Sequence, residues 1–309
     1  MRPSHLSALY RDLLDRGGRD GRALSRRTVD AVHAVLRKAF NDAVVSEQIL
    51  ESNPVLRAKR PRSPRIEANQ VWSPAELGRF LEHAQSHRLH AFFHLVAFTG
   101  ARRGELLNLS WSDVDLAGGS IAITGSASVI EGRRIVGTTK GGRRRSVSID
   151  PLTVRVLQAH GARQAEERLV IESGWPASDL VFRTALGEPV YPDTPSQLLS
   201  KLIDQYNALH PESPLPHIRL HDLRHVHATT LLLAGEPVHV VAARLGHADP
   251  SVTLRVYAHV IQDLTPTVAD TFARAVQAAS EAEKDGPVSK GVSKSRHAGR
   301  QPGHETSSS

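Results

Sequence analysis

Apolar residues recur at helical spacing along most of the chain, and the places where they stop mark its joints. Leu6, Leu9, Tyr10, Leu13 and Leu14 form one stripe over residues 4–15, and Gly17-Gly18 ends it. Ser25 has the side chain of an N-cap. It opens a second stripe, Val29, Val32, Val35, Leu36, Ala39, Phe40, Ala43 and Val44, which predicts a helix over residues 25–45. Ser73-Pro74-Ala75-Glu76 is a capping box with proline at the first helical position, predicting a helix to about residue 87. Another follows over residues 89–98 and stops at Thr99-Gly100. The period then changes: residues 120–124, 134–137 and 145–149 alternate or run β-branched between glycine-rich breaks, as in a small antiparallel sheet. Helical spacing returns over residues 151–172, and over 194–209 behind a second capping box, Thr194-Pro195-Ser196-Gln197. Three short helices come next, over residues 222–234, over 237–245, and behind Asp249-Pro250, the last carrying Tyr257; a final amphipathic stretch covers 266–283. The expected class is mainly α with a small antiparallel β-sheet (α+β). Residues 1–56 read as a small helical domain, 57–70 as a basic interdomain linker, 71–283 as the main body, and 284–309 as a basic tail expected to be disordered for want of anything to bury.

Composition narrows the function. The 309 residues suit two domains, and 40% hydrophobic content is enough for real cores. The chain has no cysteine, which excludes a disulfide framework, thiolate metal sites and thiol nucleophiles together. No apolar run approaches the roughly 20 residues of a bilayer span, and Met1-Arg2-Pro3-Ser4-His5 lacks the apolar segment of a secretory signal. No membrane partner is expected, and the expected location is cytoplasmic and nucleoid-associated.

The net charge of +7 is unevenly spread. Residues 57–65 hold five basic residues and no acid, residues 133–145 six and no acid, and residues 284–309 five against two acids, so the rest of the chain is net negative. Basic segments on an acidic body point to a polyanion. Arg57, Lys59, Arg60, Arg62 and Arg65 in the linker, and Arg143, Arg144 and Arg145 in the hairpin region, are the candidate DNA-binding residues.

Seven of the 17 histidines lie between His217 and His259, which raises metal binding. His221 and His225 are four apart on one helix face, the spacing of a two-histidine zinc site. The intervening Asp222-Leu223-Arg224 puts a cation where a dication would sit and no glutamate at the second position, so no metal site is expected. A helix-turn-helix over residues 228–245 would explain the basic charge but leaves Arg102, the hairpin charges and Tyr257 without a role.

Five separated pieces make a joint pattern: Thr99-Gly100-Ala101-Arg102-Arg103-Gly104-Glu105-Leu106, Thr139-Lys140, His221-Asp222-Leu223-Arg224-His225, Leu245-Gly246-His247 and Tyr257-Ala258-His259. His221 follows Arg102 by 119 residues, His247 follows Arg224 by 23, and Tyr257 follows His247 by 10. In this order they resemble the motifs of tyrosine recombinases of the phage integrase type, site-specific recombinases of mobile elements, over roughly residues 1–280. The resemblance implies a core-type DNA-binding domain at 1–56, shortened at its N-terminus, and a catalytic domain at 71–283. It implies DNA integration or recombination through a covalent 3′-phosphotyrosine with Tyr257 as nucleophile. Arg102, Arg224 and His247 would hold the phosphate, His221 would act as base and Lys140 as general acid, with no metal or other cofactor. It also implies double-stranded DNA of attachment type as partner, a homotetramer on that DNA, and accessory DNA-bending or directionality proteins.

The residue types support those roles independently. Arginine gives bidentate contact with phosphate oxygens and fixed positive charge where the transition state gains negative charge. A tyrosine that ionises near pH 10 needs such a cluster and a base to attack at neutral pH. Two alternatives stand beside this reading. One is a catalytically idle DNA-binding remnant of an integrase; the other is a type IB topoisomerase-like DNA-relaxing enzyme.

Overall fold

The structure, a computed structural model, describes residues 1–59, 71–138, 142, 144–171, 174–247, 249–263 and 277. Contacts divide the chain into two compact units, one ending at Val71 and one beginning at Trp72.

The first unit is built on α1 (Pro3–Arg16) and α2 (Arg26–Val45). Proline at the start of α1 fits the one place in a helix where its missing N–H costs nothing. The Ser25 hydroxyl accepts from the Thr28 N–H at 3.1 Å and caps α2. Leu6 and Tyr10 from α1, Val29 from α2 and Val55 from a short 3₁₀ turn make a small buried core. Asn53 pins that turn to α2, its side chain accepting from the Val55 N–H and donating to the Arg37 carbonyl.

The second unit is organised around α4 (His90–Thr99), whose residues from Ala91 to Ala97 are all buried. It packs against α6 (Pro151–Ile171) and α8 (Asp222–Leu233). In front of it, α3 (Pro74–His83) starts at the expected Ser73/Glu76 capping box but ends four residues early, where the backbone tightens into successive short turns through His87. A helix absent from the sequence reading, α5 (Arg103–Leu107), follows Gly100 directly.

The strands are arranged differently from expectation. β1 (Val114–Asp115), β2 (Ser120–Ile123) and β5 (Arg145–Ser148) form one antiparallel sheet in the order β1-β2-β5. Residues Arg133–Gly137 (β4) do not join it; they pair with β3 (Ser126–Ile130), a strand unmarked in the sequence, as a separate hairpin. The reason is local: Glu131 and Gly132 both take positive φ, the two-residue turn that matches strand twist and closes β4 back onto its predecessor.

The unit is completed by α7 (Thr194–Leu209), α9 (Val238–Leu245) and α10 (Pro250–Asp263). The expected capping box of α7 is not made. The cap position falls on Asp193, whose carboxylate accepts from the Arg103 guanidinium at 2.9 Å, so a tertiary ion pair replaces the local cap. Ala228, Leu232, Val241, Leu245 and Tyr257 form a buried cluster that fixes α8, α9 and α10 to one another. The expected helix over residues 266–283, the tail 284–309 and most of the linker lie outside the described residues. Among the described residues, no helix is long and apolar enough to cross a membrane.

Candidate active site

Four loops and helix ends of the second unit converge, and Arg224 is where they meet. This arginine lies in the first turn of α8 and is 3% exposed. Its Nη1 donates to the Gly100 carbonyl at 2.6 Å; its Nη2 donates to the Leu245 carbonyl at 2.8 Å and lies 2.9 Å from His247 Nε2. Gly100 caps α4 and Leu245 is the last residue of α9, so one guanidinium ties two helix ends to a third helix. Burial, with the nearby Arg102 charge, pulls Arg224 down to about 10, still well above neutrality.

Arg102 stands at the start of α5, its backbone N–H and its Nη1 both donating to the Glu105 carboxylate, at 2.9 and 2.8 Å. Glu105 is buried and also accepts two bonds from Arg145, at 3.1 and 2.7 Å. Burial alone would raise this carboxyl; the bonds from Arg145 and Arg102 outweigh it and hold Glu105 ionised, below its ordinary range. Arg145 also donates to the Arg244 carbonyl at 3.2 Å. Gly246 makes that approach possible: it sits at φ +70°, and a Cβ there would lie 2.8 Å from the Arg145 guanidinium. Arg145, expected on the DNA-contacting surface, is thus turned inward and spent on Glu105.

His247 follows Gly246 and is fixed through both ring nitrogens, Nε2 at Arg224 and Nδ1 at 2.7 Å from the buried Thr253 hydroxyl. Burial, then the charges of Arg224, Arg102 and Arg145, push it down to about 4, so it is neutral at pH 7.

Tyr257 is 3% exposed and interrupts α10: its φ of −109° and ψ of 16° leave the helical region for the bridge region. Its hydroxyl lies 2.8 Å from His225 Nδ1. Burial pushes the phenol up to about 12 against a smaller downward pull from Arg224. His221, at the N-cap of α8, is exposed, and its ring meets His225 edge-on at a centroid distance of 5.2 Å.

Of the residues singled out from sequence, the structure therefore places Arg102, His221, Arg224, His247 and Tyr257 in one unit, with Arg224 against His247 and both His221 and Tyr257 against His225. Lys140 lies outside the described residues, as do Arg60, Arg62, Arg65 and Arg143. Arg57, Lys59 and Arg144 are exposed. Sequence reading gave no role to Glu105, the common anchor of two arginines, or to Thr253, and raised His225 as one of a metal-spaced pair. Glu105 had a detectable signal, a carboxylate three residues after an arginine at a helix start; Thr253 had none. Among the described residues, no group of three or more His, Asp or Glu side chains is placed to hold a metal ion.

Known proteins resemble the chain in sequence and in fold. Residues 68–263 match the model of the phage integrase family. The chain is 34% identical over 255 residues to the ICEBs1 integrase of Bacillus subtilis, an alignment covering 80% of this chain and 65% of that protein. It is 30% identical over 275 residues to a XerC-like tyrosine recombinase of Caldanaerobacter subterraneus, covering 80% and 66%. The chain thus spans about two thirds of the length of these relatives. Its fold is similar to that of the Tn1549 transposon integrase in complex with transposon right end DNA, with TM-score 0.70 and 20% identity over 88% of this chain and 86% of that one. It is also similar to a lambda integrase dimer bound to a COC′ core site, with TM-score 0.57 and 17% identity over 83% and 79%.

Proposed function

The chain belongs to the phage integrase family, and from that premise we propose that it breaks and rejoins duplex DNA at specific sites through a covalent bond to Tyr257. The observation that carries this reading is the Arg224 bridge, which joins the loops bearing Arg102 and His247 within the domain that holds Tyr257.

In this reading a scissile phosphate enters beside Arg102, Arg224 and His247. Two guanidiniums and an imidazole N–H donate to its non-bridging oxygens and stabilise the charge gained in the transition state. His247 is then in the tautomer that carries its proton on the nitrogen facing the phosphate. A histidine of the His221/His225 pair takes the phenolic proton of Tyr257 as its oxygen attacks phosphorus. The bond from phosphorus to the 5′ oxygen breaks, and Lys140 protonates that leaving oxygen. The product is a 3′-phosphotyrosyl bond and a free 5′-hydroxyl. One phosphoester replaces another, so a 5′-hydroxyl from a second strand can reverse the attack without ATP. Exchange between two duplexes engages four active sites, which is the reason to propose a homotetramer on DNA. The exposed Arg57, Lys59 and Arg144 contribute backbone contacts, and accessory DNA-bending or directionality proteins select the sense of the reaction.

The test is covalent capture. The protein is incubated with a pool of nicked duplexes of randomised sequence, and species that stay attached to protein under denaturing conditions are recovered and sequenced. The expected result is an adduct on a recurring sequence that vanishes in Tyr257→Phe. Salt-dependent binding with no adduct under any condition would instead establish an idle DNA-binding protein.

A further inference from the structure

We propose that His225, rather than His221, is the catalytic residue that takes the proton from the Tyr257 hydroxyl, an assignment that rests on the strand-cleaving role of Tyr257 given above. The geometry separates the two histidines. His225 Nδ1 lies 2.8 Å from the Tyr257 oxygen, with the two rings 5.7 Å apart and inclined at 60°. His221, four residues earlier on α8, touches the edge of the His225 ring and is exposed to solvent. A proton leaving Tyr257 meets His225 first.

The surroundings suit the transfer. In the tautomer carrying its proton on Nε2, His225 presents an unprotonated Nδ1 to the phenol, and the transfer converts a neutral pair into imidazolium and phenolate. The groups that set the charge on His225 are Asp222, Arg224 and Arg219 from its own segment, His221 beside it, and Tyr257 from α10. Burial, with Arg224 and Arg219, keeps the ring neutral before the reaction; Asp222 opposes them and favours the imidazolium that forms. Arg224 stabilises the phenolate, since its charge already pulls the phenol down. The contact reaches from α10 to α8 at a residue whose φ and ψ leave the helical region. The proton then leaves from the Nε2 side to solvent as Nδ1 is protonated; partial burial, with the charges of His225 and Arg224, pushes the neighbouring His221 down to about 4, so it does not retain that proton.

The test uses the full chain and the duplex recovered by covalent capture, in single-turnover cleavage. His225→Asn keeps an acceptor near the position of Nδ1 but cannot take a proton; its cleavage rate is expected to fall by about 10²-fold or more. Tyr257 is then replaced by a fluorinated tyrosine, whose phenol is more acidic. With that nucleophile the cost of His225→Asn is expected to shrink to below about tenfold, because less base assistance is needed. A packing role predicts an unchanged cost with either nucleophile, and that result overturns the proposal. So does a wild-type rate in His225→Asn, or a faster one, which would make the contact a latch on the tyrosine. If His221→Asn, rather than His225→Asn, is the variant that the fluorinated tyrosine rescues, His221 is the base and the assignment fails. A second substitution, His225→Gln, and thermal melts of each variant separate chemistry from misfolding. Absence of any adduct in the wild type would overturn the strand-cleaving function itself, a different outcome from normal cleavage in His225→Asn.

Discussion

The two halves of the site are built on opposite electrostatic plans. In the arginine half, charge is fixed in place before any substrate arrives: Arg102 and Arg145 share the Glu105 carboxylate, and Arg224 is held by two carbonyls and an imidazole. In the tyrosine half, His225 and Tyr257 are joined by a hydrogen bond between neutral groups, in surroundings that resist ionisation of either. The contrast teaches how a poor nucleophile is kept harmless. In the proposed reaction the guanidiniums of the arginine half are already in place when phosphate arrives and only His247 changes tautomer; fixed charges of this kind are effective at a developing anion. The half proposed to attack stays protonated in the free protein, its phenol pushed up to about 12.

The comparison breaks most severely at Arg224. Arg224→Ala removes the bridge among α4, α8 and α9 and the central phosphate contact together. Covalent adduct formation is expected to fall by at least about 10³-fold, and the melting temperature to drop with it, because the buried carbonyls of Gly100 and Leu245 lose their donor. A variant that cleaves normally would show that the preorganised half is dispensable. Glu105→Gln is the next largest. It leaves two partly buried guanidiniums without their counter-charge, and urea denaturation is expected to show a loss of about 2–4 kcal/mol.

Acid sharpens the comparison, since histidines of this unit such as His94 and His227 are held neutral by burial. His94 and His227 are each pushed down to about 4, from an ordinary value of 6.5. The unfolded chain therefore binds protons that the folded chain refuses between pH 6.5 and 4. Stability is full above that window and falls as pH drops through it, by about 1 kcal/mol per pH unit for each such histidine. Denaturation midpoints at pH 7 and pH 5 check this, and His94→Gln is expected to flatten the slope. The smallest effect belongs to the exposed surface. Arg144→Ala is expected to leave stability unchanged within about 0.5 kcal/mol and to lower the salt dependence of DNA binding by about one unit of slope.

How much of this was legible in the sequence follows from the range of each interaction. Helices with several turns, such as Arg26–Val45 and Pro151–Ile171, announce themselves by period. The five residues of α5 are too few to have one, and β3 hides in Ser126-Ala127-Ser128, whose small side chains mark no strand. Sequence motifs named the arginines, His247 and Tyr257 as members of a site, but not their partners. That Arg145 faces Glu105, that Arg103 pairs with Asp193, which takes the cap position in place of Thr194, and that His225 touches Tyr257 are contacts across 40, 90 and 32 positions. Local propensity carries no record of them.

The Arg224 bridge has a thermodynamic corollary. Its hydrogen-bond partners are the carboxyl-terminal ends of two helices and an imidazole, so dipoles, with the charge of the Glu105 carboxylate acting through space, compensate its buried charge. In the proposed function the phosphate of the DNA adds negative charge to this pocket, where Glu105 is the carboxylate shared by Arg102 and Arg145. An anion that binds the folded chain and not the unfolded one raises the melting point in proportion to the logarithm of its concentration. The proposed phosphate site thus links the heat resistance of the domain to its occupancy, and a thermal shift with inorganic phosphate or a short duplex reads that occupancy without any bond being cut.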